Sequence, residues 1–105
     1  GKTEKVSGIL TVAGDNLIIE NNSGNKSIKI ISIDITNTDY NIPVQIRFME
    51  SKTNESKLEI MLDKNGGRYF REFENGLILN KSNSLILNLS AIVRVSYLIE
   101  YIVEV

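Results

Sequence analysis

From position 93 to the last residue every second side chain is apolar: Val93, Val95, Tyr97, Ile99, Tyr101, Val103 and Val105. Successive side chains of an extended strand point to opposite sides, so this set makes one continuous greasy face; a helix would scatter it. The β-branched and aromatic content also favours strand. Ahead of it Leu85, Leu87 and Leu89 alternate with Ile86, Asn88 and Ser90, which predicts a second strand of the same type. These two strands are expected to form the spine of the core, with Val95, Tyr97, Ile99, Leu87 and Leu89 buried between two sheets.

The rest of the chain repeats this pattern between polar punctuation. Residues 1–5 are polar and read as a mobile lead-in. Residues 6–13 and 17–20 flank Ala13-Gly14-Asp15-Asn16, which has the composition of a hairpin turn. After a polar loop over 21–27, a strand is predicted over 28–36. There Ile31, Ile33 and Ile35 lie on one side while Ile28 and Ile30 point to the other, so a register slip or bulge is expected. A turn over 37–41 leads into alternating Ile42, Val44, Ile46 and Phe48, with Pro43 placed at the strand start or on an edge. Residues 50–57 read as a solvated loop. Leu58, Ile60 and Leu62 make a short strand, residues 68–73 another, and Glu74-Asn75-Gly76 a turn into the closing stretch. About eight short strands at this spacing predict an all-β fold, a single antiparallel β-sandwich over residues 1–105. A jelly roll is the first expectation and an immunoglobulin-like topology the alternative.

Composition removes most chemistry. The 105 residues suit one domain, and the 12 basic and 13 acidic side chains are too evenly balanced to steer the chain to nucleic acid or an anionic membrane. No stretch approaches the roughly 20 apolar residues of a membrane-spanning helix. With no histidine and no cysteine, nucleophilic triads, thiolate sites and nearly all zinc, copper or haem sites are excluded, and no cofactor or metal is expected. Glu72 with Glu74, and Glu100 with Glu104, have spacings that put each pair on one strand face, but a solvated sheet face explains them more simply. Asp63-Lys64-Asn65-Gly66 opens like a calcium loop but lacks the later ligands, and reads as an Asn-Gly turn. A sugar platform would draw on Tyr40, Tyr69 and Phe70, in a chain with no tryptophan.

The back of the last strand is less easily dismissed. Arg94, Ser96, Glu100 and Glu104 belong in water, yet Leu98 and Ile102 sit among them. Met49, Met61 and Ile86 are also expected to point away from the core. Scattered apolar surface residues are ordinary, but a long terminal strand with apolar side chains on both faces is an aggregation hazard unless covered. Leu98, Ile102, Met61 and Ile86 are therefore the candidate interface.

Several segments together resemble a known group: Ile-Ile-Ser-Ile-Asp-Ile-Thr-Asn-Thr (30–38), Ile-Pro-Val-Gln-Ile-Arg-Phe (42–48), Phe-Glu-Asn-Gly-Leu-Ile-Leu (73–79), Ser-Leu-Ile-Leu-Asn-Leu-Ser (84–90) and Val-Ser-Tyr-Leu-Ile-Glu-Tyr (95–101). Over residues 28–105 the chain is similar to small β-sandwich structural proteins of tailed-bacteriophage virions. The resemblance rests on strand patterns, not on chemistry. It implies a non-enzymatic component located in the virion: an auxiliary or decoration protein that binds other capsid or neck subunits, or a domain of a head or tail fibre with a receptor- or glycan-binding role as the alternative. The implied partners are other virion proteins and further copies of the chain, with a trimer among the arrangements allowed, and neither nucleic acid nor membrane.

Overall fold

The computed structural model describes residues 2–105. Eight strands follow one another: β1 (Glu4–Leu10), β2 (Gly14–Ile19), β3 (Ser27–Asn37), β4 (Val44–Glu50), β5 (Ser56–Leu62), β6 (Gly67–Ile78), β7 (Leu85–Leu89) and β8 (Val95–Glu104). They form two antiparallel four-stranded sheets, in the orders β1-β8-β3-β6 and β2-β7-β4-β5. This is the two-Greek-key order of a jelly roll. In an immunoglobulin-like sandwich the first two strands would be neighbours, whereas β1 pairs with β8 and β2 with β7.

The chain crosses between the sheets at every connection except the β4–β5 hairpin. The hairpin expected around Ala13-Gly14-Asp15-Asn16 is thus corrected: the turn is there, with Gly14 at φ 84°, but it carries the chain from one sheet to the other. Turn composition reports a reversal of direction and not which strands then pair. The lead-in is also shorter than expected, because Glu4 and Lys5 open β1 opposite Tyr101 and Glu100; Gly1 lies outside the described residues.

Alternation places the core where the pattern put it. Leu85, Leu87 and Leu89 of β7 face Val95 and Ile99 of β8 across the two sheets, all essentially without solvent contact, and Tyr97 is half-buried against them. The irregularity in the isoleucine run is a bulge between Ile30 and Ser32, which lets Ile28, Ile30, Ile33 and Ile35 all face inward. On β6 the same irregularity takes up residues 73–76. The turn expected at Glu74-Asn75-Gly76 is therefore a bulge inside one long strand. Gly76 holds it with φ 75°, and a side chain there would collide with Lys29.

The solvated loop predicted over residues 50–57 is confined to 51–55, with 52–55 exposed; Glu50 closes β4 and Ser56 and Lys57 open β5. Val44, Ile46 and Phe48 point inward, and the same parity carries the Glu50 side chain into the sandwich end, fully buried. Its carboxylate accepts hydrogen bonds from the Asn80 main-chain N–H, from Asn80 Nδ2 at 3.0 Å and from Thr53 Oγ1 at 3.0 Å, with Lys57 Nζ at 3.8 Å. Buried Asn83 accepts from the Lys52 main chain at 2.8 Å, and the Ser84 hydroxyl accepts from the Asn21 main chain at 2.8 Å. These bonds tie three loops together, satisfying groups that would be costly to bury unpaired.

Candidate interaction surface

The outer face of β1-β8-β3-β6 follows from the register. Across the strands run three rows: Ser7, Leu98, Asp34 and Phe70; Ile9, Ser96, Thr36 and Arg68; Lys5, Glu100, Ser32 and Glu72. Three large apolar side chains lie exposed in these rows, Leu98 at 39%, Ile9 at 52% and Phe70 at 55%, and a fourth, Ile78, lies exposed beyond the bulge opposite Lys29. Each has the opposite parity to its strand's core residues, which is why a single sandwich cannot cover it.

Between them sits one charged pair. Arg68 Nε donates to Asp34 Oδ1 and its Nη2 to Oδ2, both at 2.8 Å, a two-pronged contact that fixes both side chains. The hydrogen bond from Arg68 holds the Asp34 carboxyl below the usual range, more than burial raises it. The guanidinium also lies 5.6 Å from the Phe70 ring centre. Asp34, Thr36, Arg68, Ser96, Tyr97 and Leu98 line a shallow open depression of about 230 Å³. That is smaller than ordinary small-molecule sites, which run from roughly 300 Å³ upward. The arrangement is an apolar and polar mosaic suited to contact with another protein surface.

The four residues of the predicted interface do not form one patch. Leu98 and Ile102 share the outer face described above, separated by Glu100, which accepts a hydrogen bond from Ser32 Oγ at 3.1 Å. Ile102 is half-buried beside Lys29, whose Nζ lies 3.3 Å from Glu104. Met61 and Ile86 belong to the other sheet, so the grouping of Met61 with Leu98 and Ile102 is corrected. Met61 stands 68% exposed on β5 opposite Gln45. Ile86 sits between Leu17 and Met49, a second apolar row in which Met49 is already covered. Parity predicts which side chains leave the core, but only the strand order decides on which side of the molecule they emerge.

Sequence reasoning missed Ile9 as part of the face, although Val6 and Leu10 already showed its parity. It also missed Val12 and Ile92, exposed on the loops at one end of the sandwich with Tyr40, and it wrongly counted Ile42 in the inward alternation of β4, whereas Ile42 precedes the strand and is exposed at that same end. Isolated apolar residues in polar loops carry no periodic signal. The three aromatics considered for a sugar platform do not converge. Tyr40 is in the β3–β4 loop, Phe70 is on the outer face and Tyr69 packs half-buried on the inner side of β6.

The acidic candidates are dispersed. Glu72 lies in the regular ladder and Glu74 in the β6 bulge, while Glu100 and Glu104 are each engaged with a neighbour on β3. Asp63 Oδ1 accepts from the Lys64 main chain at 2.8 Å, and the turn continues through Asn65 and Gly66 at φ 57° and 99°. Among the described residues no group of three histidine, cysteine, aspartate or glutamate side chains is placed to hold a metal ion. The sequence matches no protein-family model, and no curated protein is significantly similar to it.

Proposed function

We propose that this chain is a non-enzymatic structural protein of a tailed-bacteriophage virion, an auxiliary or decoration subunit that binds other virion proteins. The observation that carries the reading is the outer face of β1-β8-β3-β6. It displays Ile9, Leu98 and Phe70 around a fixed Asp34–Arg68 pair, the kind of apolar and charged mosaic that protein contacts use. The jelly-roll order agrees with the sandwich that the resemblance over residues 28–105 implies, and the absence of histidine and cysteine favours assembly over catalysis.

The test is incorporation. Tagged protein is added to particles lacking it, and bound subunits are located by cryo-electron microscopy. Ordered added density that is lost with Leu98→Glu supports the reading; unchanged incorporation of the variant removes the face from it. A receptor- or glycan-binding fibre module is the second reading, favoured by Val12, Tyr40, Ile42 and Ile92 on the loops at one end. Binding to host cells or glycans that is lost with Tyr40→Ala, without binding to particles, selects it.

A further inference from the structure

We propose that two copies of this chain pair antiparallel through the free edge of β6, about a two-fold axis at Phe70, joining their sheets into one of eight strands. The inference is independent of the virion reading. β6 is an edge strand that pairs only with β3, so along its other side it presents backbone groups that a second strand can satisfy. Arg68, Phe70, Arg71 and Glu72 are exposed, and Phe70 is 55% open to solvent. The regular ladder to β3 covers residues 67–72 before the bulge at 73–76 turns the strand out of register. The usable edge is therefore short, and Phe70 stands near its middle.

The side chains along that edge are self-complementary. Basic residues, Arg68 and Arg71, precede the acidic ones, Glu72 and Glu74. Antiparallel pairing of the strand with itself sets the basic end against the acidic end, while parallel pairing sets like against like. With the axis at Phe70, the two Phe70 rings meet, and each Arg68 stands opposite the other copy's Glu72. All of these lie on the outer face, because Arg68, Phe70 and Glu72 are opposite Thr36, Asp34 and Ser32 of β3. On the inner side Tyr69 stands opposite Arg71. Moving the axis to Arg71 or Glu72 would oppose two like charges. Arg68 keeps its bond to Asp34, so a guanidinium with five donors would lie between two carboxylates. Charges on a sheet edge ordinarily discourage association; here their order suits the antiparallel partner, and the axis at Phe70 is the one that sets both Arg68 side chains against Glu72.

Sedimentation equilibrium tests this with the whole chain. The parent is expected to dimerise reversibly, and an interface this small belongs to the weak class, so concentrations reach about 1 mM. Glu72→Arg leaves the Asp34–Arg68 pair in place, and is expected to keep the parent's melting temperature while weakening dimerisation by about tenfold or more. Arg68→Glu is expected to weaken it likewise. An equimolar mixture of the two variants then restores dimers, because one copy is acidic at both positions and the other basic. A parent that stays monomeric throughout, a Glu72→Arg variant that dimerises like the parent, or a mixture of folded variants that stays monomeric overturns the proposal.

Discussion

Ile99 and Glu50 show how single residues hold this sandwich. Ile99 lies without solvent contact between Val6 on one neighbouring strand and Ile33 on the other. Truncation to alanine removes buried methyl groups and leaves a cavity, so Ile99→Ala is expected to cost about 2–5 kcal/mol in chemical denaturation. A neutral result would mean that β8 is shifted by one residue. Glu50 is an equally buried carboxylate. Burial pushes its pKa up, but hydrogen bonds from the Asn80 main chain, from Thr53 and from the Asn80 side chain, with the charge of Lys57, pull it further down. The folded value therefore lies below the unfolded one, so its contribution is complete above the unfolded value and lost as pH falls through the folded one. Unfolding free energy is expected to decline as pH drops below about 4.3, the ordinary glutamate value. Glu50→Gln should flatten that decline. Glu50→Ala, which strands the Asn80 donors and leaves Lys57 without its buried partner, is expected to cost about 3 kcal/mol at neutral pH.

At the scale of the strand, β6 and β8 carry the functional argument. β8 uses one face for the core and leaves Leu98 exposed at 39% on the other. Leu98→Glu is therefore expected to leave the circular dichroism spectrum unchanged and stability within about 0.5 kcal/mol, while weakening the incorporation that the proposed virion role requires. Unfolding of the variant would place both faces of β8 in core contacts. In β6, Gly76 adopts a conformation that side chains resist and lies against Lys29. Gly76→Ala should cost about 1–2 kcal/mol, seen as a lower melting temperature. If it instead proves neutral, the bulge does not depend on glycine. Charge alone misled the reading of Glu50, placing it in the solvated loop although it continues the inward parity of Val44, Ile46 and Phe48. The alternation was legible there; the three donors that make burial of a carboxylate tolerable come from residues far along the chain or across a loop.

For the molecule as a whole, the jelly roll joins the two ends of the chain. β1 covers one side of β8, with Val6 opposite Ile99 and Leu10 opposite Val95. Removing residues 1–10 would expose a ten-residue strand edge bearing apolar side chains on both faces. The truncated chain is expected to aggregate, detected by light scattering at concentrations where the intact chain stays soluble. Six of the seven connections cross between sheets, so nearly all strand pairing is non-local. Folding on the millisecond-to-second scale, measured by stopped-flow refolding, is the expected consequence.

The alternation of apolar and polar residues by itself determined the all-β class, the existence of the strands and the approximate limits of most of them, the inward set Leu85, Leu87, Leu89, Val95 and Ile99, and the place in the isoleucine run where the regular alternation breaks. Each of these depends on the two-residue period of a strand, which is a local property of the chain. The same period told that Leu98, Ile102, Met61 and Ile86 turn away from the core. Only the tertiary structure decided that the first two emerge on one side of the sandwich with Ile9 and Phe70, and the last two on the opposite side. It alone decided that β6 has a free edge while β8 does not. Strand partners are chosen by contacts between segments as distant as residues 4 and 101, and no local pattern carries that choice.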